Sequence, residues 1–185
     1  MQGINCISSK GKILDMNRAV FFDRDGVLNE LVARDEGYYS PRDPSNFTIV
    51  SNAVEVTKQV SSLGYLNIVI SNQPDVARGY LDITVLENMT SQLYDELTID
   101  DVFYCIHDDA DSCKCRKPAP GLFMQAADKW NIDLQRSYMI GDTWKDHEAA
   151  NNINIDFLLL DREYNADCDA HNRIGELEAV FNYIG

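Results

Sequence analysis

The stretch Ala19-Val20-Phe21-Phe22-Asp23-Arg24-Asp25-Gly26-Val27-Leu28-Asn29 decides how the rest of the chain is read. A short apolar run rich in β-formers passes straight into two carboxylates set one residue apart. Such a run reads as a buried strand, and open α/β sheets build their sites at the carboxyl ends of strands. Side chains alternate on an extended backbone, so Asp23 and Asp25 point the same way. Two carboxylates that close repel each other unless a cation sits between them. Gly26 then lets the chain turn away. A strand followed by an acidic turn without chemistry explains this segment equally well, so the decision falls to the later segments.

Composition sets the frame. The 185 residues are 45% hydrophobic and 25% charged, which fits one globular domain able to bury a core. The formal net charge of -14 argues against nucleic-acid binding, which needs a basic surface. It leaves room for a small anionic substrate where cations gather locally. Met1 to Arg18 is polar and has no signal-peptide core. No apolar run reaches the length needed to span a bilayer. The expectation is a cytoplasmic monomer without a membrane partner, with a flexible lead-in at 1–18 and a single domain at 19–185. The five cysteines are odd in number, which argues against a disulfide framework, and three of them fall between Cys105 and Cys115.

In chain order, Glu30 to Phe47 is long and broken by Gly37, Pro41 and Pro44, and reads as a flap or functional loop. Asn52 to Leu63 has helical apolar spacing, and Tyr65 to Ile70 is a second strand ending in Ser71-Asn72-Gln73-Pro74. Asp82 or Thr84 caps a helix running to about Leu97. Asp101 to Ile106 is a third strand. His107 to Pro120 is cysteine-rich and irregular, and Gly121 to Trp130 is a helix. Ser137 to Ile140 is a fourth strand, followed by Gly141-Asp142. Trp144 to Asn151 is a short helix, Ile155 to Leu160 a fifth strand, and Ile174 to Tyr183 a last helix. Trp130 and Trp144 read as packing residues. Alternating strands and helices predict parallel βαβ units: an α/β three-layer sandwich with no large cap.

Polar groups therefore stand at three strand ends: Asp23/Asp25, Ser71/Asn72 and Gly141-Asp142. The cations Arg116-Lys117 follow the third strand. Taken singly, each is an ordinary turn or a solvated pair. Together they supply what phosphoryl transfer needs: a carboxylate nucleophile, a second carboxyl for acid–base work, oxygen ligands for a divalent cation, and a hydroxyl and a lysine for the transferring oxygens.

Asp23-Arg-Asp25-Gly-Val-Leu, Ser71-Asn72-Gln73, Lys117-Pro118 and Gly141-Asp142-Thr-Trp-Lys-Asp146 resemble, in order, the four motifs of the haloacid dehalogenase (HAD) superfamily of phosphatases. The resemblance covers about residues 19 to 161. It implies a Rossmann-like sheet of order 5-4-1-2-3 and an aspartyl-phosphate on Asp23, with Asp25 as general acid and base. It also implies Mg²⁺ held by Asp23, the Asp25 backbone carbonyl and Asp142, with Asp146 in support and Ser71 and Lys117 on the phosphoryl group. Asn72-Gln73, Ala77-Arg78-Gly79 and Cys113-Lys-Cys115-Arg116-Lys117-Pro118 are similar to the capless zinc-containing subgroup. Members of that subgroup act on a heptose bisphosphate or on histidinol phosphate. This implies a small phosphorylated metabolite as partner, with Asn72, Gln73, Arg78, Arg116, Glu36 and Tyr38 as substrate contacts. Pro74-Asp75 and Thr143 depart from the heptose enzymes' pattern and blur the substrate, with the heptose bisphosphate favoured and histidinol phosphate the alternative.

The zinc reading also stands on the residues themselves. Cys105-Ile-His107, five residues, then Cys113-Lys-Cys115 offers four soft ligands, an ordinary tetrahedral zinc set. With no position left for water, the site would be structural, and it would fix the loop that presents Arg116 and Lys117. The reading from a different class is a zinc-stabilised binding module that keeps the fold without the chemistry.

Overall fold

The computed structural model describes residues 16–35 and 37–185, so Cys6, Glu36 and most of the expected lead-in lie outside the described residues. In chain order the elements are β1 (Arg18–Phe22), β2 (Val32–Arg34), β3 (Gly37–Tyr39), α1 (Ala53–Ser62), β4 (Tyr65–Asn72), α2 (Ile83–Glu96), β5 (Asp101–Cys105), α3 (Gly121–Trp130), β6 (Tyr138–Gly141), α4 (Trp144–Ile153), β7 (Asp156–Leu160) and β8 (Arg173–Ile174).

The main sheet is parallel throughout and ordered β5-β4-β1-β6-β7-β8. Counted among themselves from the far edge, the five anticipated strands run 5-4-1-2-3. The sixth, β8, extends the edge beside β7, and its two residues are too short for a periodic signal. Phe22 is in register with Val69 on one side and Ile140 on the other, and the Asp23 N–H donates to the Ile140 carbonyl at 2.9 Å. The carboxyl ends of β1, β4 and β6 therefore finish at one rim.

Alternation sorts β1 and its neighbours onto two faces. Val20, Phe22 and Val69 pack with Ala53, Val56 and Val60 of α1 and Leu86, Met89 and Leu93 of α2. Phe21, Ile68 and Ile70 pack on the other face with Leu122, Phe123 and Ala126 of α3 and Ala149 and Ala150 of α4. Each fully buried aliphatic of this kind contributes roughly 1.5–3 kcal/mol. Asp82 caps α2 by accepting from the Thr84 N–H at 2.8 Å, as its side-chain chemistry favours. None of the helices among the described residues is long and apolar enough to cross a membrane.

Three local readings change. Arg18 already belongs to β1, and the Asn17 N–H donates to the Asn131 carbonyl at 2.9 Å, so residues 17 and 18 of the expected lead-in are part of the fold. The segment 30–47 holds the antiparallel hairpin β2–β3 and a 3₁₀ turn at Pro44–Asn46. The closing segment is β8 and a 3₁₀ turn, Leu177–Asn182, in place of an α-helix. Leu177, Val180 and Ile184 do turn inward at helical spacing, but only six residues coil and no side chain caps their start.

Candidate active site

Asp23 leaves the end of β1 and Asp142 the end of β6, while Asp146 sits in the first turn of α4. Their carboxylate oxygens lie within 4.8 Å of one another. Lys117 crosses to them from the β5–α3 loop. Its ammonium is 2.9 Å from Asp23 Oδ1 and 2.6 Å from Asp146 Oδ1, and it donates to the Ile70 carbonyl at 2.7 Å. Burial alone would lower the lysine's pKa, but Asp146 and Asp23 outweigh it and hold the ammonium charged. Asp146 also caps α4: its Oδ2 accepts from the Thr143 N–H at 3.0 Å and the Thr143 hydroxyl at 2.6 Å.

Crowding shows in the acids. Burial and then the Asp146 charge raise Asp23 well above the ordinary carboxylate value, against the pull of Lys117. Burial and Asp146 push Asp142 up to about 7, against the hydrogen bond from Tyr164. Asp142 Oδ1 is buried and has no hydrogen-bond partner among the described residues. Three clustered carboxylates, one with an orphaned oxygen, form an all-oxygen donor set suited to a hard divalent cation.

Asp25 is held differently. Arg24 grips it through Nε at 3.0 Å and Nη2 at 2.8 Å, Asn29 Nδ2 donates at 3.0 Å, and Gln73 Nε2 donates at 2.7 Å. Burial raises its pKa, and these donors, led by Arg24, bring it below the usual range. Gly26 follows at φ +85°, a conformation side chains disfavour.

In the β5–α3 loop, Cys115 Sγ lies 3.3 Å from Cys105 Sγ, 3.4 Å from Cys113 Sγ and 3.3 Å from His107 Nδ1. Cys105 Sγ lies 3.4 Å from His107 Nδ1 and 3.6 Å from Cys113 Sγ. Thiolates about 2.3 Å from a tetrahedral ion stand roughly 3.8 Å apart, so the four groups nearly occupy the corners of such a site. Burial opposes thiolate formation at Cys113, but the Arg116 N–H donating to its sulfur helps bring its pKa down to about 7. Gly121 lets the loop close on α3, because a Cβ there would stand 2.3 Å from the Lys114 carbonyl oxygen.

Above the acids opens a cavity of about 600 Å³. Asp23, Asp25, Lys117 and Asp142 line its floor, and Arg42, Arg78, Arg116 and Lys145 line its walls. The three arginines are internally paired. Arg42 meets Asp75 at 2.6 Å, Arg78 meets Asp108 at 2.5 Å, and Arg116 Nε meets Asp109 Oδ1 at 2.6 Å, while its Nη1 has no hydrogen-bond partner among the described residues. Tyr38 and Tyr39 of the hairpin close one side.

Apart from Glu36, which lies outside the described residues, the anticipated residues gather in one place, with differences in what they touch. Asn72 lines the cavity, but its amide pairs with the Lys117 backbone, donating to the carbonyl at 3.0 Å and accepting from the N–H at 2.9 Å. Gln73 bonds Asp25 and, at 2.8 Å, the Ser71 hydroxyl; Ser71 is buried beneath it. Trp144, read as a packing residue, is 53% exposed, because α4 buries its alanine face and turns the indole outward beside Lys145. Several participants went unnoticed in the sequence. Arg24 and Asn29 were visible within the first motif, and their spacing about Asp25 was the available signal. Arg42, Asp75 and Tyr164 come from loops with no periodicity to mark them.

A family model described as HAD-hydrolase-like matches residues 114–184. The D-glycero-beta-D-manno-heptose-1,7-bisphosphate 7-phosphatase of Helicobacter pylori strain 26695 is 35% identical over 153 residues, covering 80% of this chain and 85% of that protein. The enzyme of the same name from Escherichia coli K12 is 33% identical over 156 residues, 78% of each chain. Among solved structures, a D,D-heptose 1,7-bisphosphate phosphatase from B. bronchiseptica complexed with magnesium and phosphate superposes with a TM-score of 0.77 at 22% identity, over 89% of this chain and 96% of that one. Sharing about a third of its aligned residues with these 7-phosphatases over most of its length, the chain belongs to the HAD-like phosphatase family.

Proposed function

We propose that the protein hydrolyses a sugar phosphate, D-glycero-D-manno-heptose 1,7-bisphosphate, at its 7-phosphate. The single observation that carries this is the Lys117 ammonium seated between Asp23 and Asp146 on the floor of a cation-walled cavity. Relatives named for that activity support the choice of substrate.

Asp23 attacks phosphorus, and the bond from phosphorus to the sugar oxygen breaks. Asp25 supplies the proton that oxygen needs, leaving an acyl phosphate on Asp23. Water then attacks phosphorus and gives its proton to Asp25, restoring the acid form used in the first step. Lys117 is fixed where negative charge develops on the transferring oxygens, and the Ser71 hydroxyl lies at the end of the neighbouring strand. Asp23, Asp142 and the Asp25 carbonyl would hold Mg²⁺, with Asp146 behind them, and the orphaned Asp142 oxygen fits that use. Bound there, the ion would screen the nucleophile from the phosphate and polarise the phosphoryl oxygens. Arg116 and Arg78 line the cavity wall and would meet the second phosphate. Zn²⁺ on Cys105, His107, Cys113 and Cys115 would hold the loop carrying Arg116 and Lys117 in shape.

The test is phosphate release from purified protein offered the heptose bisphosphate, histidinol phosphate and a broad set of monophosphates, with and without Mg²⁺. Higher kcat/KM on the bisphosphate, dependent on Mg²⁺, is the expected result. A preference for histidinol phosphate would move the assignment, and no turnover on any substrate with Mg²⁺ bound would remove it.

A further inference from the structure

The turn after β7 has no part in the chemistry above, yet three of its side chains reach the loops that carry the acids. The Arg162 guanidinium donates to the Gly26 carbonyl at 2.9 Å, just beyond Asp25. The Asn165 amide donates to the Asp142 carbonyl at 2.8 Å and to the Leu160 carbonyl at 2.9 Å. Between them, the Tyr164 hydroxyl donates to Asp142 Oδ2. That bond uses one oxygen of the carboxylate, and the other is the buried, unpartnered Oδ1.

Neighbouring residues make room for this contact and orient it. A Cβ on Gly26 would stand 2.1 Å from Asp142 Oδ2 and 2.7 Å from the Tyr164 hydroxyl oxygen, so only glycine lets phenol and carboxylate meet there. The Tyr164 ring lies 5.2 Å from that of Tyr38 at an interplanar angle of 44°, which ties the turn to the β2–β3 hairpin.

We infer that Tyr164 is a positioning residue for the divalent cation. It fixes the rotation of the Asp142 carboxylate and so commits Oδ1 to the ion. The inference rests on the Mg²⁺ reading above. A carboxylate free to rotate would lose order on binding the cation; one already locked by a phenol has lost that freedom at folding. Partners of this kind behind a metal ligand typically contribute 10–100-fold in affinity.

Tyr164→Phe removes the hydroxyl and keeps the ring against Tyr38. Calorimetric titration of the free protein with MgCl₂ is expected to give a dissociation constant about tenfold higher for Tyr164→Phe than for wild type. The Mg²⁺ concentration that half-saturates turnover should shift by a similar factor. Equal Mg²⁺ affinity in the two proteins, with or without a fall in melting temperature, overturns the inference and leaves the hydrolase assignment intact. A wild-type protein that binds no Mg²⁺ overturns both.

Discussion

The Lys117 ammonium and the Asp146 carboxylate stand 2.6 Å apart, both sealed from solvent. A buried pair of this kind is costly to break, because removing one partner leaves a desolvated charge, typically at about 3–5 kcal/mol. Lys117→Ala should therefore lose both turnover and stability. Asp23→Asn should separate the two. Turnover should fall at least about a thousandfold with the nucleophile gone. The metal-free protein should melt higher, since burial and Asp146 make the Asp23 charge unfavourable. Phosphate release and calorimetry on the two variants check this; a lower metal-free melting temperature for Asp23→Asn would contradict the electrostatic account.

The pH dependence of stability follows from Asp142, whose pKa rises from 3.8 to about 7. A raised carboxyl pKa means that the folded state holds the proton more tightly than the unfolded chain. The corresponding stability is fully present below pH 3.8 and is lost as pH rises through about 7. Metal-free protein should thus melt at a lower temperature at pH 8 than at pH 5. Saturating Mg²⁺ should flatten that slope by compensating the carboxylates. Melting curves at the two pH values, with and without Mg²⁺, are the measurement.

Metal analysis should find one zinc per chain, and Cys113→Ser should lower it. The loop from Cys105 to Lys117 has little apolar packing of its own, so it should depend on the ion; structural zinc contributes on the order of 10–16 kcal/mol in small peptides. Turnover of Cys113→Ser should fall because Arg116 and Lys117 shift, while the main sheet stays folded by circular dichroism. Full activity in a zinc-free sample would refute the structural role.

Arg42 reaches Asp75 at 2.6 Å across the mouth and stacks on Tyr80 with its guanidinium carbon 4.5 Å from the ring centre. The pair is partly exposed, so its loss should change stability by less than about 1 kcal/mol. Substrate binding is more exposed to the change, since Arg42 lines the same cavity wall as the Arg78 and Arg116 proposed for the second phosphate. Arg42→Gln should raise KM for the bisphosphate several-fold and leave KM for a matched monophosphate nearly unchanged. Equal changes on both substrates would place Arg42 outside the remote subsite.

The strands and the acids at their ends were legible because both follow from local pattern. An apolar run closing on Asp23-Arg24-Asp25, and another closing on Gly141-Asp142, can be read without knowing what lies beside them. The α-helices announced themselves through Leu86, Met89 and Leu93 or Leu122, Phe123 and Ala126 at helical spacing. What stayed hidden depends on long-range meeting. No periodicity ties Tyr164 to Asp142 or Arg42 to Asp75, and β8 exists only because β7 offers its edge. The sequence marks Asn72 and Gln73 at the end of a strand, and the structure turns their amides toward Lys117 and Asp25. Sequence identifies a polar residue at a strand end; it does not say which neighbour claims the hydrogen bond.

The reciprocal bonds between the Asn72 amide and both backbone groups of Lys117 act as an extra rung grafted onto the end of β4. They anchor the Lys117 backbone from the sheet, beside the cluster of Cys105, His107, Cys113 and Cys115 that shapes the loop before it. The lysine thus has two moorings, one from the strand and one from the loop, and losing the amide at position 72 would free its backbone even where the cysteine cluster stays intact.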